Sequence, residues 1–246
     1  MELYERFYQL HHRQSPFILA NAWNVRSAQL IEQAGFEAIG TSSGAIANSL
    51  GYEDGEKIPF SELLYIVQRI KACTGIPLSV DMERGYSDDL DTLTGNIQKL
   101  ADLGVSGINI EDAQGEEIFL RKLEHIKNYL VKTGQALFIN ARTDVFLQKL
   151  PDPLVTTIER ARRYRDAGAD GLFVPAVAEA GIIKEITSSV SLPVNMVGTA
   201  RLPVETLADL GVKRISMAVL LYRATYRQLE NIAGSIKAED SLSPLF

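Results

Sequence analysis

"KLADLGVSGINIED", residues 99–112, reads as the end of an amphipathic helix, a glycine suited to the left-handed conformation just past it, and an apolar strand closing on two acids. The same phrase returns along the chain. "LIEQAG" leads to Gly35, "KLADLG" to Gly104, "RYRDAG" to Gly168 and "TLADLG" to Gly211, and each is followed within a few residues by a short apolar run. Such runs predict strands at 17–22, 38–43, 77–83, 107–112, 136–143, 171–176, 193–198 and 212–218. Strands alternating with helices over 246 residues, with no Pro- or Ser-rich linker, predict one (β/α)8 TIM barrel, residues 1–246 forming a single domain. A doubly wound open sheet is the alternative, but "NAWNVRS" after the first strand is not the glycine-rich phosphate turn such a sheet would normally carry.

Hydrophobic residues make up 46% of the chain, enough for a large core, and the net charge of -6 argues against a nucleic-acid or anionic-membrane partner. The single cysteine, Cys73, excludes an internal disulfide and a cysteine-based zinc site, and His11, His12 and His125 show no ligand spacing. Neither a signal peptide nor a membrane-spanning run is legible, which makes a cytoplasmic protein the expectation.

In a barrel of this kind the active site lies at the C-terminal ends of the strands. Side chains alternate along a strand, so in "LSVDMERGY" (78–86) Ser79, Asp81 and Glu83 share one face and Leu78, Val80 and Met82 the other. The same parity turns Asn109 and Glu111 inward on the next strand, and Phe138, Asn140, Arg142 and Asp144 on the one after. Carboxylates converging on one mouth raise one another's pKa unless a cation compensates, and oxygen ligands without nearby Cys or His suit Mg²⁺ or Mn²⁺. A lone Asp81 would more often be a loop cap, and Arg142 could be a structural partner of Asp144; an inward arginine is also what a carboxylate or phosphonate substrate requires.

"GTSSGAIANSLGYEDGE" (40–56) is longer and more glycine-rich than a simple connection needs. As a loop, it could cradle a carboxylate through Ser42, Ser43, Gly44 and Ala45, with Asp54 reaching the metal region through a water. Elsewhere the bland readings prevail: Cys73 as a small buried hydrophobe, His125 as a surface or helix contact, and Trp23 as either a mouth or a rim residue.

With these residues assembled, the chain resembles the isocitrate lyase and phosphoenolpyruvate mutase superfamily from about residue 16 to 225. The matching pieces are "TSSGAIANSLGYEDGE", "SVDMERGY", "INIED", "INARTD", "GADGLFVPA", "PVNMVG" and "RISMAVLLYRA". The resemblance implies a last helix exchanged between subunits of a homodimer or homotetramer. It also implies Mg²⁺ held by Asp81 and, directly or through water, by Asp54, Glu83 and Glu111, with the Ser43 and Gly44 region holding a substrate carboxylate and Arg142 and Asn195 touching substrate. Asp81, Glu111 and Arg142 would then carry the chemistry, which in this superfamily makes or breaks a C–C or P–C bond beside an oxo acid.

The departures are specific. Where the isocitrate and methylisocitrate lyases have a Lys-Lys-Cys-Gly-His loop, this chain reads "EDAQGEEIFLRKLEHI" (111–126), without the cysteine that donates a proton. The lysine- and asparagine-bearing loop of the phosphoenolpyruvate mutases is not evident either, a sixth-strand Glu or His is replaced within "FVPAV", and Glu83 stands where Asp is usual. Two readings follow. One is a Mg²⁺-dependent, lyase-like enzyme acting on a small 2-oxo or 2-hydroxy acid, with oxaloacetate decarboxylation ranked ahead of phosphonopyruvate hydrolysis and of a C–C lyase using Tyr52 or Tyr86 as base. The other is a barrel that binds metal and oxo acid as a sensor or scaffold.

Overall fold

The computed structural model describes residues 2–246. The chain opens with α1 (Leu3–His12), β1 (Phe17–Ala22), α2 (Val25–Gln33), β2 (Ile39–Thr41), α3 (Ser43–Ser49), α4 (Phe60–Lys71) and β3 (Leu78–Asp81). It continues through α5 (Leu90–Asp102), β4 (Gly107–Glu111), α6 (Glu116–Thr133), β5 (Phe138–Arg142), α7 (Pro153–Asp166) and β6 (Gly171–Phe173). The last elements are α8 (Ala180–Ser189), β7 (Val194–Val197), α9 (Val204–Asp209), β8 (Arg214–Ser216) and α10 (Leu220–Glu239). Strands β1 to β8 pair in parallel in chain order and close where Phe17 of β1 meets Arg214 of β8, giving the expected (β/α)8 barrel. No helix among the described residues is long and apolar enough to cross a membrane.

Local chemistry explains the punctuation. Gly35, Gly104, Gly168 and Gly211 all have positive φ, between 72° and 104°, and each turns the chain from a helix back toward the next strand. At the start of α2, Asn24 accepts a hydrogen bond from the Ser27 N–H at 2.8 Å while the Ser27 hydroxyl oxygen accepts from the Asn24 N–H, a reciprocal cap.

Apolar side chains fill two places. The larger core lies between strands and helices, where Val80, Ile108, Ile110, Ile139 and Met196 point outward. A smaller one closes the bottom of the barrel, where Phe7 and Leu10 of α1 pack on Phe17, Leu19 and Phe138. Gly107 makes room for this plug: a Cβ there would stand 2.7 Å from the Phe7 ring and 2.9 Å from the Phe138 carbonyl oxygen. Above the plug the lumen turns polar, with Ser79, Asn109, Asn140, Asn195, Arg214 and Ser216 all buried.

Three expectations are refined here. Cys73 is half-buried, because α4 ends at Lys71 and leaves it in the turn beyond. Trp23 is buried under α10, edge-on to Tyr222 with ring centroids 5.2 Å apart. Residues 43–49 form a helix rather than a loop.

Gly107→Ala should destabilise the protein by about 1–3 kcal/mol through overpacking between α1 and β5. Thermal unfolding checks this: a melting temperature equal to the parent's would show that the plug is looser than these contacts require.

Candidate active site

Asp81 is the last residue of β3. Its Oδ2 accepts from the Ser43 hydroxyl at 2.8 Å and from the Ser43 N–H at 3.3 Å, and its own N–H donates to Thr41 Oγ1 at 2.8 Å. The head of α3 therefore holds the carboxylate, and the end of β2 holds the Asp81 backbone. Ser42 caps α3, its oxygen accepting from the Ala45 N–H at 3.4 Å, while its hydroxyl hydrogen stays available at the cavity wall. Gly44 faces the Asp54 carboxylate so closely that a Cβ would lie 2.9 Å from Oδ2.

Strand alternation predicts Glu83 beside Asp81, and Glu83 does lie close enough to feel the Asp81 charge. β3 stops at Asp81, and Glu83 adopts a left-handed φ of 47°, so its direction is set by a turn instead of the pleat. Glu56 holds that turn. Its Oε1 accepts from the N–H groups of Arg84 and Tyr86 at 2.9 and 2.8 Å, and its Oε2 pairs with the Arg84 guanidinium at 2.9 Å. Glu83 ends up buried, accepting from the Tyr86 hydroxyl at 3.2 Å. Burial, and then the charges of Asp81, Asp54 and Glu56, push its carboxyl up to about 7.

On the other side, Arg142 at the end of β5 donates through Nε and Nη2 to Asp144, at 2.6 and 3.1 Å, and pairs with Glu111 at 2.8 Å. It is thus both the partner of Asp144 and a wall of the mouth. Burial and the charges of Asp81, Asp144 and Glu83 raise Glu111 to about 8 even though Arg142 opposes the shift. Burial disfavours the Arg142 charge, yet Glu111 and Asp144 raise its pKa on balance.

The two acids of "IED" diverge. Asp112 turns back among the helices, where it accepts from Thr143 Oγ1, the Asp144 N–H, Arg160 and Tyr164 at 2.5–2.8 Å. This buried node carries the backbone of Asp144, and so the arginine clamp. Sequence reading assigned Asp112 no role, because period and spacing give no sign of a partner 48 residues on in α7.

A cavity of about 520 Å³ opens among these strand ends. Of the expected residues, Ser42, Ser43, Gly44, Asp54, Asp81 and Arg142 line it. Ala45, Glu83, Glu111 and Asn195 lie outside the lining; Asn195 sits a layer lower, buried, its Oδ1 accepting from Ser216. Tyr52, one of the two candidate bases, also lines the cavity, and Asn21, Asn109, Phe173 and Arg223 join the wall without having been assigned to substrate. The inward parity of Phe17, Leu19 and Asn21 could have exposed Asn21 in advance, whereas Arg223 comes from α10, which only the fold brings over the mouth.

Among the described residues no three His, Cys, Asp or Glu side chains are arranged to hold a metal on their own. The protein atoms alone therefore do not form a direct cage, since Ser43 engages one Asp81 oxygen and Arg142 pairs with Glu111, and ligation of Asp54, Glu83 and Glu111 through water remains the expectation. The donor chemistry nevertheless fits a hard divalent cation. Asp81 and Asp54 face the cavity, Glu83 and Glu111 are short of compensating positive charge, and Mg²⁺ keeps several waters when one or two carboxylates bind it.

A carboxyl whose pKa is raised on folding stabilises the folded state below its unfolded value and loses that contribution as pH rises through the folded value. With Glu83 near 7 and Glu111 near 8, the metal-free protein should lose several degrees of melting temperature between pH 5.5 and 8.5. Mg²⁺ should restore more at pH 8.5 than at pH 5.5, and the gain should vanish in Asp81→Asn. Equal gains at both pH values would sink the account of an under-compensated acid cluster.

Comparison with known proteins agrees with the site. The family model of phosphoenolpyruvate phosphomutase matches residues 7–237. An uncharacterised protein of Mycobacterium tuberculosis is 36% identical over 237 residues, covering 96% of this chain and 90% of its own. An oxaloacetate decarboxylase of Rhodopseudomonas palustris is 28% identical over 242 residues, covering 92% and 81%. A solved structure from Burkholderia cenocepacia, provisionally assigned as a lyase/mutase, superposes with a TM-score of 0.91 at 32% identity over 98% of this chain and 90% of the other. The chain is an enzyme of the phosphoenolpyruvate mutase and isocitrate lyase superfamily, whose members cleave C–C or P–C bonds.

Proposed function

We propose that this enzyme breaks a C–C or P–C bond beside the 2-oxo group of a small acid, by way of the enolate of pyruvate, and that oxaloacetate decarboxylation is its first candidate reaction. The observation that carries the reading is Arg142 and Asp81 lining one cavity beside under-compensated acids. Mg²⁺ or Mn²⁺, held by Asp81 with Asp54, Glu83 and Glu111 directly or through water, would supply Lewis-acid stabilisation of charge developing on the 2-oxo oxygen. Arg142 contributes a fixed cation to the same oxygen region, and the Ser43 and Gly44 backbone at the head of α3 receives the carboxylate.

In decarboxylation the C3–C4 bond breaks, CO₂ leaves, the electron pair passes into the enolate, and water protonates C3 to give pyruvate. No side-chain proton donor is required. That suits a mouth in which only the four residues 112–115 separate β4, ending at Glu111, from α6, beginning at Glu116, which leaves little room for a gate. The oxaloacetate decarboxylase among the relatives supports the ranking. A second reading, an oxo-acid sensor or scaffold, is favoured by the engagement of Arg142 on both sides by Glu111 and Asp144.

Pyruvate release from oxaloacetate, phosphonopyruvate, 2-methylisocitrate, isocitrate and dimethylmalate separates these readings. The expected result is turnover of oxaloacetate that EDTA abolishes and Asp81→Ala lowers by about 100-fold or more. Oxalate binding with Mg²⁺ but without turnover of any of these acids would favour the sensor.

Residues of α10 support a homo-oligomer. Only Tyr222 of that helix is buried, while Leu220, Tyr226 and Leu229 are 47%, 40% and 57% exposed beside a groove lined by Trp23, Leu30 and Phe36. A second copy exchanging its last helix would cover them. Light scattering should return a dimer or tetramer of the 27.1 kDa chain, and Leu229→Glu should shift it toward monomer; a monomeric parent protein refutes the assembly.

A further inference from the structure

Arg214 of β8 is completely buried in the barrel lumen beneath the cavity. Its Nη2 donates to Asn109 Oδ1 at 3.2 Å and its Nε to Ser216 Oγ at 3.3 Å, while Nη1 has no partner. No carboxylate is among its hydrogen-bond partners. An apolar side chain of similar volume would fill the lumen above Phe7 without desolvating a cation, so packing alone does not account for the residue.

A guanidinium only donates, and that fixes the direction of every bond around it. Asn109 must turn its oxygen toward Arg214, and the same oxygen accepts from Asn140 Nδ2 at 2.9 Å. Ser216, accepting from Arg214, gives its own hydrogen to Asn195 Oδ1 at 2.8 Å. The orphans left behind, Asn140 Oδ1 and Asn195 Nδ2, are what this imposed polarity leaves over. Asn109 lines the cavity and its Cα pairs with that of Asp81 across the strands. With its oxygen engaged twice below, its Nδ2 is the atom that remains for the cavity.

We propose that Arg214 is a positioning residue, which locks the Asn109 carboxamide so that Nδ2 is presented beside Asp81 as a hydrogen-bond donor to an oxygen of an anionic, carboxylate-bearing substrate. The inference rests on the reading of the cavity as an oxo-acid site. Asn109 is the contact, and Arg214 acts through it.

Calorimetry of oxalate binding to the full chain with Mg²⁺ tests this. Arg214→Met and Asn109→Ala should each weaken oxalate about tenfold, the usual scale for a hydrogen bond to a charged group. The double variant should be no weaker than either single one, because both remove the same contact. Asn109→Asp keeps both acceptor bonds below but loses the donor above and sets a second negative charge beside Asp81, so it should lose more oxalate affinity than Asn109→Ala. Unchanged affinity in Arg214→Met or Asn109→Asp, or effects that multiply in the double variant, would overturn the proposal. A parent protein that takes up Mg²⁺ but no oxalate instead refutes the oxo-acid site. The crystal structure of Arg214→Met then decides the positioning role by itself, since an Asn109 carboxamide that stays in place without the guanidinium overturns it and one that turns or disorders sustains it.

Discussion

Carboxylates crowd one end of this barrel, most of them partly or wholly withdrawn from water, and the repulsion among them governs how the mouth is built. Asp81 is quieted by two donors from Ser43, Glu111 and Asp144 by a shared arginine, and Glu83 by taking up a proton more readily than an ordinary glutamate. These are three different remedies for one electrostatic problem. Among the described residues, Arg142 is the one cation shared by these acids, which is why the donor set suits a divalent ion even though no three ligands converge on one point.

Holding acids in this arrangement requires unusual backbone. Glu56, Glu83 and Tyr86 all take positive φ around the β3 turn, and Ala176 and Ala218 do so beyond the ends of β6 and β8. Non-glycine residues occupy that region only where their surroundings over-determine it. Here the determinants are visible: Glu56 gathers two N–H groups of the β3 turn, and Asn21 Oδ1 accepts from the N–H groups of Met217 and Ala218 at 3.0 and 2.9 Å. Strain and the hydrogen bonds that offset it therefore gather at the C-terminal rim, while the opposite end is closed by aromatic packing of α1.

Beneath the rim, the lumen is wired by side-chain hydrogen bonds where many barrels use branched aliphatics. The arrangement extends the logic of the mouth downward. Asn109 touches both the buried guanidinium and the cavity, so the floor and the wall form one polar unit centred on β4, β7 and β8.

Much of this was legible in the sequence because it depends on local rules. The eight strands, the glycines that end the helices, and the inward parity of Asp81, Glu111 and Arg142 all follow from period and from which residues tolerate positive φ. The early start of α6 was equally readable from "EDAQGEEIFLRKLEHI". Periodicity says nothing about backbone beyond the regular element: Glu83 lies two residues past β3, and its left-handed turn, held by Glu56, was not legible from the pleat. Depth is not legible from period either: Asn195, named as a substrate contact on the resemblance alone, is buried with its Oδ1 accepting from Ser216. Asp112 with Arg160, Arg223 above the mouth and Arg214 beneath it were decided by tertiary structure alone, because their partners are distant in the chain and meet only when the eight strands close into a ring.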